Sequence, residues 1–184
     1  MSSPLFSSFP VLASERLSLR KLSINDSAEI FALRTDVRVN QYLDRSKPDN
    51  ISKVIEFINL VNKGIDEGRS LYWAICLRDN PQLAGTICLW NFSADQKQAE
   101  IGFELSPAYQ GMGIMQEAVS CVLEYACDTI SLKVIDAFVH KENLKSIRLL
   151  EKNNFLLQPD RSDEDNPSLI VYSLIKNGTD FSFS

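Results

Sequence analysis

The chain has 184 residues, which at roughly 150 residues per domain predicts one domain with its own core. Hydrophobic residues make up 45% and charged residues 23%, an ordinary globular mixture that excludes a disordered chain or a fibre. Nineteen Lys and Arg against 24 Asp and Glu leave a net charge of −5 with no basic stripe, which argues against nucleic acid and leaves cationic partners tolerated. The longest apolar run, Leu71 to Leu77, is far short of the ~18 residues of a membrane span. No positive residue precedes Arg16, so the charged region of a signal peptide is missing. Cys76, Cys88, Cys121 and Cys127 form no CxxC pair and read as buried free thiols. The expectation is a cytoplasmic enzyme or binding domain without a metal.

In chain order, Glu15 to Ser23 alternates apolar and polar residues as a strand does. Asn25 or Asp26 then caps a short helix carrying Ile30, Phe31 and Leu33, and an irregular stretch runs from Thr35 to Asp49. Asn50 opens a longer helix with Ile51, Val54, Ile55, Ile58, Val61 and Ile65 at helical spacing, and Gly68 stops it. Two strands, 71–78 and 83–90, flank the turn Asp79-Asn80-Pro81. A third strand, 98–106, stops at Pro107, and a helix follows from about Met112 to Cys127. Then come a strand over 132–140, a helix over 143–153, and strands at 155–158 and 168–175 around a polar loop from Pro159 to Pro167. The order β-α-α-β-β-β-α-β-α-β-β, a meander followed by a βαβ crossover, implies an α+β fold with a mixed, mostly antiparallel sheet.

The most informative segment is Gln110-Gly111-Met112-Gly113-Ile114-Met115, between a strand and a helix of about four turns. Glycines there let successive N–H groups converge at a helix start, where the dipole favours an anion such as a diphosphate. Gln116 stands where a Rossmann fingerprint wants Gly or Ala, and no GK[ST] follows as in a Walker motif. Taken alone, such a turn is equally often only a turn.

Together with the order of elements, IGFELSPAYQGMGIMQEA, SERLSLR near the start and SIRLLEKNNF near the end resemble the GNAT superfamily of acyl-CoA-dependent N-acetyltransferases. They look most like its RimJ/RimL branch, which includes ribosomal-protein N-terminal acetyltransferases. The likeness covers about residues 14–176, within a single domain 1–184. It implies that Gln110, Gly111, Met112, Gly113, Ile114 and Met115 hold the pyrophosphate of coenzyme A, although Met115 stands where Gly or Ala is common. It also implies that the strand before the turn splays from its neighbour, with Phe103, Leu105 and Ser106 along the pantetheine arm. Asn143 and Ser146 match positions near the thiol end of the cofactor.

An α-amine of pKa ~7.7–8.0 loses its proton at neutral pH for roughly 1 kcal/mol, against roughly 4.5 for a lysine at ~10.4. An α-amine acceptor therefore needs only modest base assistance. Glu100 matches the position where several family members hold a general base, and a surface carboxylate in a salt bridge is the plain alternative. Glu104 shares its strand face, roughly 13 Å away, and is expected nearer the substrate rim. The Tyr that protonates the thiolate in many members is Leu150 here, so Ser146, Ser106 or a water stands in, or no strong acid is needed. His140, the only histidine, is more often structural than catalytic. The loop with Asp160, Asp163, Glu164 and Asp165 and the segment Thr35 to Asp49, with Tyr42, Asp44 and Arg45, would wall the acceptor site by the same resemblance. Those acids attract a cationic amine or a basic peptide, or simply form a solvated hairpin tip. Trp73 and Trp90 read as core.

The reading is an acetyltransferase that moves acetyl from acetyl-CoA to a primary amine, foremost a protein N-terminal α-amine. A polyamine, aminoglycoside or amino-acid-like acceptor, and a silent acyl-CoA-binding module, stay open, as do a monomer and a homodimer.

Overall fold

The computed structural model describes residues 8–163 and 165–176. Eight strands form one sheet: β1 (Leu12–Ala13), β2 (Leu17–Lys21), β3 (Leu71–Leu77), β4 (Asn80–Trp90), β5 (Gln98–Leu105), β6 (Val134–His140), β7 (Leu156–Ser162) and β8 (Leu169–Ile175). Their spatial order is β1-β2-β3-β4-β5-β6-β8-β7. Every described pairing is antiparallel except β5 with β6, which are joined by the crossover through α3 (Ile114–Glu124). The expected mixed, mostly antiparallel α+β fold is therefore present.

The two faces bury different cores. On one, Ile101, Ile135, Ala137 and Val139 pack with Ala118, Val119 and Val122 of α3 and with Leu150 of α4 (Leu144–Lys152). On the other, Ala74, Cys76 and Leu83 lie under α1 (Ser27–Thr35) and α2 (Ile51–Asp66), which contribute Ile30, Leu33, Val54 and Ile58. The helical spacing read in α2 is thus the stripe that packs on the sheet. Its stop also holds: Gly68 takes φ +70°, and Gly68 and Arg69 donate back to the Ile65 and Gly64 carbonyls.

Several boundaries differ. Asp26, one of the two expected caps, stands at the N-cap of α1 but makes no side-chain cap bond there; its carboxylate instead completes a capping box with Ser23, the cap of the preceding 3-10 turn, and is held by Arg20 at 2.7 and 2.8 Å. The β3–β4 turn falls on Arg78-Asp79, so Asn80 and Pro81 already belong to β4. A π turn, Tyr125–Thr129, extends α3. β7 runs on to Ser162 through an irregularity in its pairing, taking in part of the expected loop. Trp73 is core, and its indole N–H donates to the Pro10 carbonyl. Trp90 is not core: it is 50% exposed, because α1 and α2 leave that end of β4 uncovered.

The site is positioned by one interruption. β4 and β5 pair over six positions and β6 and β8 over seven, but β5 and β6 pair only at Gln98–Glu100 against Val134–Asp136. Past Glu100 the two parallel strands separate.

Candidate active site

The wedge between β5 and β6 is lined by backbone. The Ser106 N–H donates to the Ala84 carbonyl at 2.9 Å. In the β4–β5 register this turns the backbone groups of Glu100, Gly102 and Glu104 toward β4, and those of Ile101, Phe103 and Leu105 toward β6. Phe103 and Leu105 thus offer N–H and C=O groups to the wedge, whereas the Ser106 N–H is already engaged. The Leu105 carbonyl accepts from the Gln110 side-chain amide at 3.2 Å.

Beyond β5, a 3-10 turn at Pro107–Tyr109 brings the chain to Gln110 and the glycines. Gly111 and Gly113 take φ +78° and +74°, and Gly113 is the N-cap of α3. A side chain would be strained at both. The first helical bond runs from the Glu117 N–H to the Gly113 carbonyl, so the N–H groups of Gly113, Ile114, Met115 and Gln116 precede the ladder. Ile114 and Met115 bury their side chains in the core. The bulk of Met115 therefore points inward, and only its N–H belongs to the turn. Met112 is 53% exposed. This geometry fits a diphosphate at the helix start and an amide-bearing chain along β5.

Arg16 secures the turn from the far end of the chain. Its Nη1 donates to the Met112 carbonyl at 3.0 Å and its Nε to Glu117 at 2.6 Å, while the Ser14 hydroxyl donates to the same carboxylate at 2.7 Å. Burial raises the Glu117 pKa, but the bonds from Ser14 and Arg16 outweigh it and hold the carboxyl below its ordinary value. At the start of α4, Asn143 accepts from the Ser146 N–H at 3.2 Å and so caps the helix; Ser146 is half-buried. Leu150, where the family often holds a Tyr, is 1% exposed in the core.

The opposite face of the sheet carries the carboxylates. Glu100 is the last β5 residue paired with β6, so it stands where the wedge begins, half-buried and accepting from Asn91 Nδ2 at 2.6 Å. Gly102 leaves no side chain between Glu100 and Glu104, and a Cβ there would stand 3.2 Å from Cys88 Sγ. Glu104 is not at a rim. It is buried, accepts from Arg45 Nη2 at 2.5 Å and from the Thr86 hydroxyl at 3.2 Å, and Thr86 meets Tyr72. The reason is the segment 36–49: Asn40 binds the Leu33 and Asp36 carbonyls and Arg45 Nε, which lays Arg45 over the end of β5. Tyr42 stacks on His140 with centroids 5.2 Å apart, and Glu142 N–H donates to His140 Nδ1. Asp136, beside Glu100, is buried and bound by Arg161, Ser173 and Gln98. Burial pushes the Cys88 thiol up to about 12 and raises Cys76, Cys121 and Cys127 too, which disfavours a thiolate nucleophile.

Asp163 accepts from the Asp165 and Asn166 N–H groups, forming a closed turn, and Asp160 is exposed; Glu164 lies outside the described residues. Among the described residues no group of three His, Cys, Asp or Glu could hold a metal ion, and no helix is long and apolar enough to cross a membrane.

A sheet that opens beside a glycine-started helix is the architecture of acyl-CoA-dependent acyl transfer. Residues 16–156 match the acetyltransferase (GNAT) domain, and the chain belongs to that family. It is 33% identical over 147 residues to the uncharacterized N-acetyltransferase YoaA of Bacillus subtilis, covering 80% of this chain and 83% of that one. It is 24% identical to the spermidine N(1)-acetyltransferase of Escherichia coli K12, covering 77% and 74%. Its fold superposes on RimL, a ribosomal L7/L12 alpha-N-protein acetyltransferase in complex with coenzyme A, with a TM-score of 0.79 at 16% identity over 90% of this chain and 98% of that one. The protein is an N-acetyltransferase that uses acetyl-CoA as co-substrate.

Sequence reasoning missed the Arg16 latch, the exposure of Trp90 and the neutralisation of Glu104 and Asp136 by arginines. The first was within reach, since Ser14 and Arg16 lie in the SERLSLR segment already singled out.

Proposed function

We propose that the acceptor is a single primary amine, foremost the α-amine of a protein N-terminus. The observation that carries this is the charge on the acceptor face. Of the three carboxylates that β5 and β6 place on this face of the sheet, Glu104 is paired with Arg45 and Asp136 with Arg161, and Glu100 alone, among the described residues, has a neutral partner, Asn91. A polyamine would need several unneutralised acids. One half-buried carboxylate suits a single amine, and an α-amine needs little more to lose its proton.

Acetyl-CoA supplies a thioester already activated toward amines. The chain's own groups then have three tasks. The N–H groups of Gly113 to Met115, with Gln110, Gly111 and Met112, hold the phosphates. The backbone of Phe103 and Leu105 aligns the pantetheine arm, with the side chains of Ser106, Asn143 and Ser146 near its thiol end. Glu100, directly or through one water, accepts the proton that the amine releases as nitrogen bonds to the acetyl carbon. The carbon–sulfur bond breaks, and the thiolate leaves without a strong acid or takes a proton from Ser146 or water.

The test is a free-thiol assay with acetyl-CoA and matched acceptors: peptides with a free α-amine, the same peptides blocked there, and spermidine. The expected result is thiol release only with free-α-amine peptides, with acetyl found on the first residue by mass spectrometry. Faster turnover of spermidine than of any peptide would overturn the reading.

A further inference from the structure

The acceptor side carries a second feature that the transfer chemistry does not use. A shallow cleft of about 250 Å³ opens between the end of α1, the first two turns of α2 and the segment 46–49. Its lining includes Arg34, Ser46, Lys47, Asp49, Lys53 and Phe57. Three of these are cations and one is an acid.

Arg34 is the unusual member. It is half-buried, with its guanidinium stacked 4.1 Å above the centroid of the Phe57 ring. None of the ion pairs among the described residues includes it, and the nearby Glu104 is already taken by Arg45. Burial, followed by the like charge of Arg45, lowers its pKa. Its place in the last turn of α1 gains something from the helix dipole but supplies no counter-ion. A half-desolvated guanidinium over an aromatic ring, with no ion pair among the described residues, is arranged to receive the oxygens of a carboxylate or phosphate. Lys47 and Lys53 add charge at the rim, although Lys53 also reaches Glu56 at 2.8 Å.

We infer that the Arg34 cleft binds an anionic group of the acceptor, so that the amine acetylated here belongs to a molecule that also carries a carboxylate or a phosphate. The inference deepens the proposed function and rests on it for the location of the amine. The cleft's segment 46–49 follows directly on Arg45, which binds Glu104 at the end of β5. Its sign is opposite to that of the acidic β7–β8 loop. For a protein N-terminus the anion would be an acidic side chain near the first residue; for a small amine it would be a carboxylate or phosphate of the same molecule.

Two matched pairs separate these sources: the peptide amides Ser-Asp-Glu-Ala and Ser-Asn-Gln-Ala, and 3-aminopropyl phosphate with 3-methoxypropylamine. The anionic member of at least one pair is expected to show a KM about tenfold lower, the scale of one charge-assisted hydrogen bond. Arg34→Gln should abolish that advantage while leaving the affinity for coenzyme A and the kcat for the neutral member unchanged. Lys47→Gln, on an exposed loop, should reduce the advantage about threefold and guards against misfolding of the first variant. A preference shown only by the aminopropyl pair would support the cleft and refute the protein N-terminus. If none of the four is acetylated, the Arg34 Nε–H resonance of the coenzyme A-loaded protein is followed during titration with inorganic phosphate. A saturable shift supports the cleft, and no shift overturns it. Equal KM values within both pairs, or an advantage that survives Arg34→Gln, would also overturn it.

Discussion

The two sides of β5 are built on different terms. Toward α3 the proposed cofactor site consists of backbone: the groups of Phe103 and Leu105 in the wedge and the N–H groups that start α3 at Gly113. Toward α1 and α2 it consists of side-chain charge: Glu100 with Asn91, Glu104 with Arg45, Asp136 with Arg161. A backbone site depends on conformation and tolerates many side chains, so the buried Met115 is compatible with the proposal. A charge site depends on which acid each arginine reaches. It follows that cofactor affinity should respond to changes of φ and shape, and acceptor turnover to changes of charge.

The largest expected effect breaks the backbone side. In Gly113→Val a β-branched residue is forced to φ +74°, at a cost of about 1–2 kcal/mol, and its Cβ would stand 3.3 Å from Arg16 Nη2 at the mouth of the turn. That strain is worth roughly five- to thirtyfold, and the valine methyls also block the close backbone approach of the phosphates, so calorimetry should find acetyl-CoA affinity reduced by about two orders of magnitude, with the far-UV dichroism unchanged. Unaltered affinity would place the phosphates elsewhere.

Next, Glu104→Ala should lower the unfolding free energy by about 3 kcal/mol, because it strands Arg45 without its buried partner. Urea melts measure this, and a loss under 1 kcal/mol would mean that Arg45 finds another acid. Glu100→Gln sharpens the comparison: turnover at pH 7 should fall about tenfold to a hundredfold while acetyl-CoA affinity stays within twofold. An unchanged rate would remove Glu100 from the mechanism.

The smallest effect is expected at Asp136. Burial raises its pKa, but Arg161, Ser173 and Gln98 outweigh this and hold it below the ordinary value. The stability it contributes is therefore present above the unfolded pKa of ~3.9 and is lost as pH falls through the lower folded value. Asp136→Asn should be about 1–2 kcal/mol less stable than the parent at pH 7, with the gap narrowing below pH 4. A gap that does not narrow would mean the carboxylate is not held in its charged form.

What the sequence disclosed follows the same division. Alternation in 98–106 and the paired glycines disclose the strand parity and the positive-φ turn on which the proposed cofactor side rests, because these are local properties. Even there, the engaged N–H of Ser106 depended on its partner, Ala84. The charge side was hidden because its pairs are distant: Arg45 and Glu104 are 59 positions apart. That Arg34 has no ion pair among the described residues is likewise a property of the folded chain. Trp90 misled because its run is apolar on both faces, whereas the helices cover only part of the sheet. β1, two residues long, carries too little pattern to read.

The central claim is that the odd-numbered residues of β5 and the start of α3 hold the cofactor through backbone groups. Amide chemical shifts of the 15N-labelled protein, followed during titration with acetyl-CoA, test it most directly. The N–H signals of Phe103, Leu105 and Gly113 to Met115 should move together and saturate, while those of Gly102 and Glu104, which face β4, move much less. Saturable shifts that spare Phe103 and Leu105, or that cluster instead around the Arg34 cleft, would contradict it.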